Sequence, residues 1–239
     1  MSIYKYLSFE NAKKIFENQT LRFSNPLSFN DPFELKPNIS KLTDSSNHLV
    51  INTVSDLLNG SGQAQKFHDG LVSNLSNGIG ILCLSAKKDN LLMWAHYAEE
   101  HRGIVIEFDQ EHEFFYKPKS SKKIGLLFGL EEVNYVDTRP SIESEEWLNK
   151  ETFFTKGKHW YYEEEYRMVL LLDESNNQNK YNIKFPNQLL KSVYIGVRTS
   201  KESIEYIKNL NNKAEWKHLN IFQMEVDEVA YKLKATPYE

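Results

Sequence analysis

Ile3-Tyr4-Lys5-Tyr6-Leu7 alternates in the manner of a strand, and Ser8 then precedes Phe9, Ala12, Ile15 and Phe16 at helical spacing. A period of two gives way to one of about 3.6, so the chain opens as a strand followed by a helix with Ser8 as its N-cap. Residues 21–24 resume an extended pattern, and Asn25-Pro26 turns the chain into a loop carrying Phe29-Asn30-Asp31-Pro32-Phe33-Glu34. Further short apolar runs predict strands over residues 80–85, 103–108, 132–136, 166–172, 189–195 and 221–226. Helices are expected over 91–97, where Asn90 stands as a cap, and over 142–154 and 201–210. Residues 117–123 read as an exposed lysine-rich loop and 176–179 as a turn. Short strands interleaved with helices, without a strict βαβ rhythm, predict an α+β fold with a mixed or mostly antiparallel central sheet. We read residues 1–239 as one domain. Residues 38–77 are expected to form a mobile helical insertion or cap, because their apolar residues are too sparse to build much core.

Composition limits the class of protein. The chain has 239 residues, 40% hydrophobic, with a formal net charge of −4. Those values suit a globular core and carry no electrostatic footprint of a non-specific nucleic-acid binder. No apolar run reaches the ~18 residues a membrane helix needs, so no membrane partner is expected. Cys83 is the only cysteine and the N-terminus lacks the pattern of a secretory signal, which makes the cytoplasm the expected compartment.

Several chemistries lack their residues. Gly60 and Gly62 have no following Lys-Ser/Thr, so there is no phosphate loop, and Cys-x-x-Cys and His-Glu-x-x-His are missing. His96, Glu99, Glu100 and His101 are the one compact set of metal-ligand types, without the third ligand at helical spacing that a catalytic zinc needs. No metal is expected. Cys83 lies in an apolar run, where burial raises a thiol pKa and makes it a poor nucleophile.

Three clusters remain. In the first, residues 25–34, Asn30 and Asp31 can bond the backbone and stiffen a loop. The second, Met93-Trp94-Ala95-His96-Tyr97, offers rings with polar tips, suited to a planar ligand or to a core. The third, Trp160-Tyr161-Tyr162-Glu163-Glu164-Glu165-Tyr166-Arg167, places Glu163, Glu165 and Arg167 on one face if it is extended, with Glu164 on the other. Two carboxylates beside a guanidinium form either a salt-bridge ladder or a site with perturbed pKa values.

These strings, together with Tyr4-Lys5-Tyr6, Leu21-Arg22-Phe23-Ser24-Asn25-Pro26, Cys83-Leu84-Ser85 and Gly103, resemble the bacterial family called domain of unknown function 2971 over roughly residues 1–200. More distantly, their order is similar to the three-motif plan of ADP-ribosyltransferases. That resemblance implies NAD as co-substrate, cleavage of its nicotinamide–ribose bond and transfer of ADP-ribose to an unknown acceptor; the bacterial distribution of the DUF2971 family suggests phage defence or a toxin role as the setting. The likeness to ADP-ribosyltransferases also implies Glu165, Glu163 and Arg167 as catalytic residues, Lys5 as the holder of NAD on the first strand, Ser85 ending the second strand, and Trp94 or Tyr97 packing on nicotinamide. Tyr6, Arg22, Ser24, Asn30, Asp31 and His96 complete the expected NAD-binding set. Two other readings use the same residues: a non-catalytic module in which Arg22, Lys5 and Arg167 hold an anionic nucleotide-like ligand, and an NAD glycohydrolase transferring to water.

Overall fold

A computed structural model describes residues 2–35, 78–117, 124–141, 150–172 and 181–238. The expected insertion at 38–77, the turn at 176–179 and most of the helix expected over 142–154 lie outside them.

Strand β1 (Ser2–Leu7) runs into helix α1 (Phe9–Asn18), as the change of period predicts. The Ser8 side chain accepts from Asn11 N, and Ala12, Ile15 and Phe16 are buried. Gln19 then takes a left-handed conformation (φ 51°), which ends the helix. After β2 (Thr20–Arg22) come β3 (Ile79–Ser85), α2 (Leu91–Tyr97) and β4 (Ile104–Asp109). The Asn90 side chain caps α2 by accepting from Leu92 N and Met93 N. The middle of the chain supplies β5 (Ile124–Glu132), β6 (Asn134–Val136), α3 (Lys150–Phe154), β7 (Thr155–Gly157) and β8 (Glu165–Leu172). The rest supplies β9 (Asn182–Lys184), β10 (Leu190–Ile195), α4 (Lys201–Lys208), β11 (Asn220–Val226) and β12 (Leu233–Pro237).

Eight strands form one sheet in the order β12-β11-β10-β4-β1-β3-β8-β5, antiparallel except for the β10–β11 pair. The fold is therefore α+β with a mostly antiparallel mixed sheet. Strands β5, β7, β9 and β12 were not expected from the sequence, because their runs are short, polar or interrupted by glycine. Alternation along β4 sends Ile104, Ile106 and Phe108 to the core beneath α1 and Val105 to the core beneath α2. On the first face Phe16 packs edge-on against Trp216, 5.5 Å between centroids; on the second Tyr6 does the same with Trp94 at 5.6 Å.

Two features position the site. Strand β1 pairs along its length with β4, and β3 with β8, yet β1 and β3 share a single registered pair, Tyr4 opposite Ser85. The sheet forks there, and the Lys5 ammonium crosses the fork to donate to Cys83 O at 3.0 Å. The second feature is the close approach of the chain after α2 to β1. A Cβ on Gly103 would lie 2.1 Å from Leu7 O and 2.9 Å from Ala98 O. Neither neighbour is a flexible side chain, so Gly103→Ala is expected to destabilise the fold by at least about 1–3 kcal/mol, the range for overpacking. Urea unfolding checks this, and an unchanged midpoint contradicts it.

Candidate functional site

A cleft of about 320 Å³ opens at the fork of the sheet. Strand β1 contributes Lys5 and Tyr6, and β3 contributes Cys83 and Ser85. The loop before the undescribed segment contributes Ser24, Phe29, Asn30 and Glu34, and α2 contributes Tyr97. Lys156 of β7, Glu163, and Glu165 and Arg167 of β8 complete it.

The Glu-rich segment is not one extended strand, which corrects the sequence reading. Residues Lys158–Glu163 form a 3₁₀ turn, and Glu164 is left-handed (φ 41°, ψ 56°) before β8 begins at Glu165. Glu165 and Arg167 share a strand face as expected, while Glu163 reaches them through the turn. Glu164 points away to Lys87, 3.7 Å distant in a partly exposed pair. Ser85 fixes the turn: its hydroxyl donates to Glu163 O at 2.7 Å and accepts from Lys87 N.

The resulting cluster is charged and buried. Arg167, 1% exposed, donates through Nε and Nη2 to the two Glu165 oxygens (2.8 and 2.9 Å), through Nη2 to Glu34 Oε1 (2.6 Å) and through Nη1 to Phe153 O (2.7 Å). Lys156 Nζ donates to Glu163 Oε2 at 2.5 Å and to Glu165 Oε2 at 3.0 Å, and lies 3.7 Å from Glu34. The Tyr97 hydroxyl donates to Glu163 Oε1 at 2.6 Å and accepts from Asn30 Nδ2 at 3.3 Å. Three carboxylates, Glu34, Glu163 and Glu165, thus face two cations, Arg167 and Lys156.

Electrostatics follow from this geometry. Burial works against the Glu165 carboxylate, but Arg167 and Lys156 outweigh it and hold its pKa down at about 2. Burial also raises Glu34, and here Arg167 and the more distant Lys156 do not fully compensate. For Lys156, burial opposes the charge and the three carboxylates more than restore it. Burial and the Glu163 carboxylate raise Tyr97, so it remains a donor at neutral pH. Burial lowers Lys5 and raises the Cys83 thiol.

The depressed Glu165 has a signed consequence. Its folded pKa lies below the ordinary 4.5, so its stabilisation is present above pH 4.5 and is lost as the pH falls toward 2. Glu34, raised in the fold, works in the opposite direction. Unfolding free energy is expected to fall across that window, and less steeply in Glu165→Gln; equal slopes for wild type and variant contradict the assignment.

Of the residues expected at a site, Lys5, Tyr6, Ser24, Asn30, Ser85, Tyr97, Glu163, Glu165 and Arg167 meet at the cleft. Four others do not. Arg22 is exposed on β2, opposite Asn182. Asp31 accepts from Phe33 N at 2.9 Å and so holds the loop, as its residue type suggests, but it lines a neighbouring cavity. Trp94 is fully buried, with its ring N–H donating to Lys88 O at 2.8 Å; it packs in the core rather than against a ligand. His96 is exposed beside Tyr97 and Tyr162. The face of α2 that lines the cleft carries Met93 and Tyr97, and Trp94 and His96 fall one position off it.

Lys156 and Glu34 were not assigned to the site from sequence. Lys156 stands in Thr155-Lys156-Gly157-Lys158, where nothing in the sequence separates it from a surface lysine. Among the described residues no group of three His, Cys, Asp or Glu side chains is arranged to hold a metal, and no helix is long and apolar enough to cross a membrane.

Residues 93–168 match the family model described as "Protein of unknown function (DUF2971)". Over this segment the chain is similar to that family. The segment contains Tyr97, Lys156, Glu163, Glu165 and Arg167, whereas Lys5, Asn30, Glu34 and Ser85 precede it. The matched segment thus supplies Lys156, Glu163, Glu165 and Arg167 of the charged cluster, and the N-terminal part supplies Glu34 and the facing strands and loop. No curated protein and no solved structure matches the chain.

Proposed function

We propose that the cleft breaks the N-glycosidic bond between nicotinamide and ribose in NAD and passes ADP-ribose to an acceptor. The observation that carries this reading is the Glu163 carboxylate: it is 4% exposed, it lines the cleft, and it receives one hydrogen bond on each oxygen, from Tyr97 and Lys156. Loss of nicotinamide leaves positive charge on the ribose, and a fixed carboxylate in a water-poor site stabilises such charge most. Glu165 has less to offer, because a bidentate Arg167 and Lys156 already consume its charge. It serves as the counter-ion that keeps both cations in place. The volume lies near the lower limit of the ~300–1,000 Å³ usual for ligand pockets, which suits a nicotinamide and its ribose. The distant likeness of the motif order to ADP-ribosyltransferases supports the same reading.

A module that merely holds an anion is less well supported. Arg22 lies outside the cleft and Arg167 is fully engaged by carboxylates, which leaves only Lys5 of the three cations such a module needs. Hydrolysis of NAD uses the same residues as transfer. NAD labelled separately in its nicotinamide and its adenine distinguishes the cases. Release of nicotinamide with adenine label on a macromolecule is expected for a transferase. Label on free ADP-ribose identifies a glycohydrolase, and no release with any acceptor overturns the proposal.

A further inference from the structure

We infer that a second cavity, of about 800 Å³, is a binding site for a nucleobase-bearing ligand. It adjoins the cleft: Glu34 and Lys156 line both, so the wall between them includes their ion pair. Its aromatic side chains are Phe33 from the loop and Trp160 and Tyr162 from the 3₁₀ turn. Phe33 is 63% exposed although a loop of ordinary stability gains nothing by presenting a phenyl ring to water. Trp160 and Tyr162 lie 6.1 Å apart at 39°, and the Arg139 guanidinium lies 5.7 Å over the Phe33 ring. Rings and a guanidinium plane are the surfaces on which bases stack irrespective of sequence.

The charges around the cavity fit the same ligand. Its three carboxylates are all engaged within the protein: Asp31 accepts from Phe33 N, Glu34 from Arg167, and Asp137 from Lys158. The Lys158–Asp137 pair is exposed on both sides, so exchanging Asp137 for a ligand phosphate costs little. Thr138 and Thr155 add hydroxyls to the lining. The inference does not rest on the proposed reaction, although the two cavities share Glu34 and Lys156.

The ligand chemistry has two sources, a free nucleotide and a single strand of nucleic acid. The full chain is titrated with AMP by calorimetry and with a fluorescently labelled oligothymidylate by anisotropy. At least one probe is expected to bind, and Phe33→Ala to weaken it about 5- to 100-fold, the equivalent of one lost base stack. Tyr231→Ala, on a fully exposed ring outside the cavity, serves as the control and should change nothing. Comparable binding of both probes identifies the free nucleotide, and binding of the oligonucleotide at least about tenfold tighter identifies the strand. Circular dichroism checks each variant, and Trp160→Ala decides if Phe33→Ala is unfolded. No binding of either probe up to about 1 mM, or binding untouched by both variants, overturns the inference. Nicotinamide release is not read by this experiment, so failure of the proposed reaction leaves its result intact.

Discussion

Replacing Arg167 with Met is expected to destabilise the protein by about 3–5 kcal/mol, the cost of removing one partner from a buried ion pair. The guanidinium is 1% exposed and satisfies Glu165 twice, Glu34 once and the Phe153 carbonyl. Met fills part of the volume but supplies none of these donors, and Lys156 alone is left against three carboxylates. Glu34 and Glu165 must then take up protons or water, and the loop that Glu34 anchors loses its tie to the sheet. For a chain of this size the loss corresponds to a drop of roughly 6–20 °C in Tm. Arg167→Met combined with Glu165→Leu should recover part of the loss, since an apolar pair in place of a buried ion pair is often neutral or better. An Arg167→Met midpoint equal to wild type in urea contradicts the role given to the cluster.

The second large effect is on turnover. Glu163→Gln keeps the shape of the side chain, and its carbonyl oxygen can still accept from Tyr97 or Lys156, but the charge is gone. Nicotinamide release from NAD is expected to fall by about 10²-fold or more, the scale for losing one preorganised electrostatic group. Glu164→Gln is the internal control. Its carboxylate faces outward to Lys87 in a partly exposed pair, where a substitution typically changes stability by no more than about 0.5 kcal/mol and turnover should persist.

Much of the fold was legible because it rests on local period. The switch at Leu7–Ser8, the apolar runs of β3, β4 and β10, and the Asn90 cap each specify their element without help from distant residues. The edge strands were not legible, since Leu233-Lys234-Ala235-Thr236-Pro237 becomes a strand only by pairing with β11. The site divides in the same way. Glu163, Glu165 and Arg167 stand together in sequence and were visible as a set, although Glu163 arrives by a left-handed turn at Glu164 rather than by strand alternation. Glu34 meets Arg167 across 133 positions, and Lys156 reaches the cluster from a separate two-stranded ribbon with β6. No local signal specifies either contact. Trp94 was expected at a ligand because its residue type suits both a core and a site, and its packing against Tyr6 assigns it to the core.

The central claim is that Glu163 is the charge that drives nicotinamide departure, and the most direct measurement is the rate of nicotinamide release from NAD by wild type, Glu163→Gln and Glu164→Gln side by side. The expected result is release by wild type and by Glu164→Gln at similar rates, with Glu163→Gln slower by about 10²-fold or more while its circular dichroism is unchanged. Equal rates in all three proteins, or no release by wild type, contradict it.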